Sequence, residues 1–218
     1  MARQVKVITA AEAAALIKNG DTVTTSGFVA SAIPEALDRA VEERFLATGE
    51  PRDITYVYCG SQGNKDGRGA EHFAHEGLLK RYIAGHWATV PALQKMALEN
   101  KMEAYNVSQG ALCHLFRDIA AHRPGCFTKV GLGTFIDPRN GGGKVNDVTK
   151  EDIIELVNIK GQDYLFYPAF PINVALIRGT YADESGNISF EKEVSPLEGT
   201  SVCQAVKNSG GIVVVQVE

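Results

Sequence analysis

A chain of 218 residues with 44% apolar and 22% charged side chains has the mixture of a globular protein and excludes a disordered one. At this length roughly 70% of the unfolded surface is buried on folding, enough for one or two domains with real cores. The 22 basic and 26 acidic residues leave a formal charge of −4, and with no Lys/Arg cluster this argues against a nucleic-acid partner.

Thr9-Ala-Ala-Glu12 is a capping box. It predicts a helix running through Leu16 and Ile17 to a stop at Gly20. Thr22 to Thr25 is a short β-prone run that leads into Ser26-Gly27-Phe28 and a turn. Pro34 opens a second helix, with Leu37, Val41 and Phe45 on one stripe and Gly49 as its end. Ile54 to Cys59 is a strand, followed by a glycine-rich polar loop from Gly60 to Gly69. Pro91 starts a helix with Leu93, Met96 and Ala97 on one face. Glu103 to Val107 is short and extended, and Gly110 starts a helix with Leu112, Leu115, Phe116 and Ile119 inward. Further strands are expected at 153–159, 164–167, 173–178 and 212–217, with a helix at 201–207 before the last.

Alternating strands and helices predict an α/β fold with a mostly parallel sheet and helices on both faces. We expect one domain over 1–218, with a small subdomain around 135–170. The most apolar strand directly precedes Glu218, which leads us to expect a fragment, or one half of a larger polypeptide. Cys59, Cys113, Cys126 and Cys203 sit in or beside apolar runs with no CxxC pair, as reduced core cysteines do. The N-terminal segment carries Glu12 and no apolar h-region, and no run approaches the roughly 18 apolar residues of a membrane span. The expectation is a cytoplasmic protein with no membrane partner.

Ligands of parallel α/β sheets bind outside the carboxyl ends of the strands. Asn106-Val-Ser-Gln-Gly110 places Gln109 at such an end. The amides of Gly110 and Ala111 would be free at a helix N-terminus, where negative charge is favoured. Either this is an oxyanion hole for acyl transfer with Gln109 as donor, or it is an ordinary turn capped by Ser108. Gly63 to Gly69, with Lys65 and Arg68, lacks the Lys-Ser/Thr pair of a phosphate-binding loop and reads as a solvated turn. Glu71-His72-Phe-Ala-His75-Glu76 lacks the H-E-x-x-H order and a third ligand. It reads as a helix surface or N-terminal cap, with no metal. Cys113 and His114 are adjacent, so a helix points them about 100° apart and they cannot act as nucleophile and base. Tyr181 to Ile188 reads as a hairpin turn built on Asp183, Gly186 and Asn187.

Three segments together resemble the family I coenzyme A transferases. Asn19-Gly20-Asp21 through Ser26-Gly27-Phe28 to Ile33-Pro34 is similar to the family's first signature, with Ser26 and Ala32 in place of glycines. Ser108-Gln109-Gly110-Ala-Leu112 resembles its P-Q-G-T-L segment, with Ser108 for Pro. Ala182-Asp183-Glu-Ser-Gly186-Asn187 resembles its A-D-x-x-G-N turn. Stretches 54–91, 133–147 and 175–187 resemble the single-chain propionate and acetate members, whose two α/β halves share one polypeptide.

The resemblance implies an N-terminal half of an enzyme that moves CoA between short-chain carboxylic acids by a ping-pong glutamyl-CoA thioester. It implies a coenzyme A thioester as co-substrate and no covalently bound cofactor. Gln109 would stabilise the oxyanion, and Gly27, Phe28 and Gly110 would line the substrate site. The partners would be an acyl-CoA, a short-chain carboxylate, the C-terminal half and, by default for soluble enzymes, further copies in a homo-oligomer. The nucleophilic glutamate would lie in the C-terminal half. Glu184-Ser185-Gly186 spells that segment's E-S-G but falls in the wrong context. The alternative is a non-catalytic α/β module that binds a small molecule on the same fold. A sugar-phosphate isomerase-like reading needs an acid–base carboxylate at a strand end, and none stands out.

Overall fold

The computed structural model describes residues 5–218. In chain order, a short helix α1 (Ala10–Ala14) precedes β1 (Thr22–Thr25), α2 (Glu35–Thr48) and β2 (Ile54–Tyr58). A 3-10 turn (Ala70–Phe73) leads to β3 (Leu79–Ala84), α3 (Pro91–Leu98), β4 (Glu103–Asn106) and α4 (Gln109–Ala120). Then follow β5 (Gly125–Thr128), β6 (Glu155–Ile159), β7 (Gln162–Pro168), β8 (Val174–Arg178), α5 (Gly199–Asn208) and β9 (Ile212–Gln216).

Six strands form one sheet in the order β4-β3-β2-β1-β8-β9, every pair parallel. The direction of winding reverses at β1, whose other neighbour is β8. Right-handed crossovers on the two sides of a reversal place helices on opposite faces. Accordingly α1 and α2 pack together, α2 and α3 both pack on the 3-10 turn, and α4 packs on α5. The expected α/β fold, a mostly parallel sheet with helices on both faces, is the fold observed. The last strand departs from a fully covered one. β9 is an edge strand, and its Ile212 is exposed.

Several element ends follow local chemistry. Thr9 accepts from the Glu12 amide while Glu12 accepts from the Thr9 amide, the capping box in full. The helix stops at Ala14, short of the expected Ile17. The Leu16 and Ile17 amides bond three residues back, to Ala13 and Ala14, and this tightens the last turn. Gly49 ends α2 at φ 74, a left-handed cap that favours glycine.

A second, three-stranded antiparallel sheet runs in the order β5-β7-β6, and its first strand, starting at Gly125, lies before the 135–170 stretch where a small subdomain was expected. Lys160 and Gly161, both at positive φ, close the β6–β7 hairpin. Two strands were not expected. β5 is only Gly-Cys-Phe-Thr, and β3 begins Leu-Lys-Arg, which breaks an apolar pattern. Arg81 is neutralised from outside its strand, by Glu103 at 2.5 Å on β4 and by Glu151.

Tyr56 and Tyr82 are cross-strand partners on β2 and β3, fully buried, with ring centroids 5.3 Å apart. Trp87 and Phe73 extend this aromatic layer. Beneath it lies a buried polar knot. Gln62 accepts from the Tyr56 hydroxyl at 2.9 Å and donates to Thr25 Oγ1 at 3.1 Å and Asp38 Oδ2 at 3.0 Å. Burial pushes the Asp38 carboxyl up to about 7, and Glu35 adds to this. The Gln62 hydrogen bond and the charge of His72 oppose it.

The folded chain therefore keeps a proton on Asp38 where an unfolded aspartate, with a pKa of about 4, has lost it. This contribution to stability is present below pH ~4 and is lost as pH rises toward 7. Asp38→Asn is expected to remove it. Between pH 5 and pH 8 the unfolding free energy of the wild type should fall relative to the variant by about 2 to 3 kcal/mol, read by urea denaturation. A constant difference across that range would contradict the assignment.

Candidate functional site

The carboxyl ends of β1, β2 and β4 meet at one corner of the sheet. Ser26 follows β1 and clamps the corner. Its amide donates to Leu176 on β8, its hydroxyl donates to the Ala32 carbonyl, and that hydroxyl accepts from the Arg178 amide at 2.8 Å. Gly27 sits at φ +109, and a β-carbon there would stand 3.0 Å from the Ser31 and Ala32 carbonyls. Only glycine fits this turn. Phe28 and Ser31 exchange backbone hydrogen bonds, and Phe28 is 41% exposed.

Gln109 approaches from β4. The sequence reading starts α4 at Gly110, whereas the helix begins at Gln109 with Ser108 as its N-cap. The Ala111 amide is therefore taken by Ser108 Oγ, at 3.4 Å, rather than free. Among the described residues the Gln109 and Gly110 amides and the Gln109 side chain have no hydrogen-bond partner. Gly110 faces open space.

The two segments converge on Gly60, two residues past the end of β2. A β-carbon on Gly60 would stand 3.1 Å from Cδ2 of Phe28 and 3.7 Å from Nε2 of Gln109. An aromatic face and a carboxamide donor thus flank one bare α-carbon, beside a helix N-terminus. Gly85, after β3, sets the spacing. A β-carbon there would lie 2.4 Å from the Cys59 carbonyl oxygen and 2.6 Å from the Gln109 α-carbon. The geometry brings together Gly27, Phe28, Gln109 and Gly110, all expected at the site, and adds Gly60 and Gly85. Neither glycine has a signal of its own, because each role is a contact between strands.

The other candidates lie elsewhere. Ser61 and Gln62 are buried, and of the 63–69 stretch expected as a solvated turn, Lys65 to Arg68 are exposed while Gly63 and Gly69 are buried. His72 is buried in the 3-10 turn and not on a helix surface. It bridges Glu42 at 2.5 Å and Glu35 at 3.0 Å, while His75 bonds Glu42 at 2.6 Å. Burial pulls His72 down, but the two carboxylates outweigh it and hold its pKa up. Among the described residues no group of three or more His, Cys, Asp and Glu is placed to hold a metal. Glu71 caps α3, accepting from the Ala92 amide at 2.8 Å.

Cys113 stands one turn along α4 from Gln109 and His114 is exposed. The neighbouring Cys113 thiol and burial both push the pKa of the Cys59 thiol up. A thiol so held is a poor nucleophile. Glu184 is exposed in the 183–187 turn, whose amides Ser185 and Asn187 both bond Asp183. A cleft of about 470 Å³ between α4 and α5 borders Ala120, and one of about 280 Å³ at the C-terminal end of α4, against Phe170 and Pro171, borders Ile119. Roughly 16 Å of helix separates them from Gln109.

A methyl group at position 85 would collide with backbone on two sides. Gly85→Ala is expected to lower the unfolding free energy by roughly 1–3 kcal/mol and to shift the Gln109 side-chain amide resonances. Unshifted resonances would contradict this packing.

The Coenzyme A transferase family model matches residues 7–218. The caffeate CoA-transferase of Acetobacterium woodii is 46% identical over 213 residues, 98% of this chain and 41% of that protein. The acetate CoA-transferase YdiF of Escherichia coli K12 is 40% identical over 99% of this chain and 41% of that protein. A crystal structure of the acyl-CoA transferase YdiF from E. coli O157:H7, a thioester complex with CoA, superposes with a TM-score of 0.95 at 39% identity. It covers 98% of this chain and 42% of that one. The chain thus spans about two fifths of the length of these relatives. With its full described length apart from the first two residues inside the matched region, the chain belongs to the coenzyme A transferase family.

Proposed function

We propose that this chain is the N-terminal half of an acyl-CoA:carboxylate CoA-transferase of the propionate and acetate type. The observation that carries the reading is the convergence of the Phe28 ring and the Gln109 amide on Gly60. Acyl transfer needs an apolar wall for the acyl chain and a donor for a tetrahedral oxyanion, and this corner supplies both. The relatives' names add the chemistry of caffeate and acetate, and the thioester complex of YdiF adds CoA as the group carried.

In the proposed cycle a glutamate carboxylate from the C-terminal half attacks the acyl-CoA thioester carbonyl. The carbon–sulfur bond breaks, leaving an acyl-glutamyl anhydride and CoA thiolate. The thiolate attacks the glutamyl carbonyl and releases the first carboxylate, leaving a glutamyl-CoA thioester. A second carboxylate takes the CoA by the reverse path. Each addition places negative charge on one oxygen. Gln109 Nε2 and the unpartnered Gly110 amide are the donors for it, backed by the positive end of α4. Gly27 and Phe28 line the acyl side, and the absence of a side chain at Gly60 leaves room for the reacting carbon.

The test is CoA transfer from propionyl-CoA to acetate. The 218-residue chain alone should show no turnover, and addition of a separately made C-terminal half should restore it. Turnover by the chain alone would overturn the split of roles and return Glu184 as a nucleophile candidate. In the restored enzyme Gln109→Ala should lower kcat about 10²-fold with a smaller change in KM. An unchanged kcat would remove Gln109 from the oxyanion site.

A further inference from the structure

Phe28 is placed by a turn that is not at rest. Val29 and Ala32 both have φ 54, a region a β-branched residue rarely enters. Such backbone persists only where its surroundings over-determine it. The surroundings are the buried segment 61–63. The Val29 amide donates to the Ser61 carbonyl at 2.8 Å, and the Gly63 amide donates to the Val29 carbonyl at 2.8 Å. Between these two ties lies Gln62, whose Cγ would be 3.1 Å from a β-carbon on Gly27. The Gly27–Val29 turn therefore rests on the stem of Gln62.

The head of that side chain is held from behind. Its Nε2 donates to Asp38 on α2 and to Thr25 on β1. Asp38 is fully buried between Leu37 and Ala40, on the face where α2 meets the core. Its side chain bonds only Gln62 among the described residues, and its Oδ1 has no partner. An apolar side chain would fill this position at far lower cost, since a buried unpaired oxygen is destabilising. What the carboxyl does there is fix the Gln62 amide in one of its two flips, nitrogen toward Asp38 and oxygen toward Tyr56.

We propose that Asp38 is a positioning residue of the acyl site, which acts through Gln62 to hold the Gly27–Val29 turn and so sets which carboxylic acids fit between Phe28 and Gln109. This rests on the transferase reading for its substrate, and on the hydrogen bonds of Gln62 and the packing of its stem on Gly27 for its geometry. Asp38 touches no substrate. Its effect passes along Asp38, Gln62, Gly27 and Phe28.

The test uses the complete enzyme, this chain together with the rest of its protein. Rates are measured with propionyl-CoA as donor and acetate or butyrate as acceptor. Asp38→Ala should change the ratio of kcat/KM for butyrate and acetate about fivefold or more, mainly through KM. Asp38→Asn still offers Gln62 an acceptor oxygen and should recover the wild-type ratio. An equal fall in kcat for both acids with unchanged KM values would overturn the proposal, because that is the signature of a lower folded fraction. An unchanged ratio would overturn it too. If the wild-type enzyme transfers no CoA, the transferase reading fails by itself. The positioning claim is then decided by amide hydrogen exchange. Val29 and Gly63 should exchange at least about tenfold faster in Asp38→Ala, relative to the β2 amides, but not in Asp38→Asn. Unchanged exchange would overturn it.

Discussion

One carboxamide joins the parts of this molecule that meet at its site. Gln62 takes a hydrogen bond from β2, gives one to β1 and one to α2, and its own carbonyl receives the Ala70 amide. All four partners are buried, so none of these bonds competes with water, and losing one leaves an orphaned polar group. Through Gln62 the first βαβ unit, the glycine-rich loop and the turn at Phe28 become one rigid piece. The sheet contributes the rest. Because strand order reverses at β1, the carboxyl ends of β1 and β8 open a crevice, and Ser26 bridges it with both its amide and its hydroxyl.

The arrangement separates two tasks. The proposed acyl corner is exposed at Phe28, Gln109 and Gly110. The groups behind it, Gln62, Asp38, Thr25 and Tyr56, are wholly buried. Oxyanion stabilisation depends on donors that do not reorganise during the reaction. Of the two proposed donors, one is an amide in the first turn of a twelve-residue helix, and the other is a side chain rooted where Gly85 presses on its α-carbon. Rigidity is supplied at the cost of side chains, since Gly27, Gly60 and Gly85 all stand where a β-carbon would meet other atoms.

What could be read along the chain was what local chemistry decides. The Thr9–Glu12 capping box, the Gly49 helix end, the Ser108 cap and the Asp183 turn all depend on neighbours a few residues away, and all are present. The buried stripes of α3 and α4 followed from periodicity. β3 stayed hidden because Lys80 and Arg81 interrupt its apolar pattern, and the acids that neutralise Arg81 come from β4 and from residue 151. Gln62 and Asp38 stayed hidden because polar residues in a glycine-rich loop and on an amphipathic helix look solvated. The bonds that tie Gln62 to Thr25 and Asp38 span 37 and 24 residues. Gln109 stood out by its place at a strand's carboxyl end and again by resemblance, Phe28 by resemblance alone, and the packing on Gly60 brings the two to one place.

The central claim is that Phe28 and Gln109 bound a single acyl site. The most direct measurement is a crystal structure of the complete protein bound to acetonyl-CoA, a ketone analogue of acetyl-CoA whose acyl group has no thioester bond to break and so stays in the site. The account predicts the acyl carbonyl oxygen about 2.7–3.1 Å from Gln109 Nε2, with the acyl methyl against the Phe28 ring and no intervening water. An acyl group bound away from this corner, with Gln109 and Phe28 solvated as before, would contradict it.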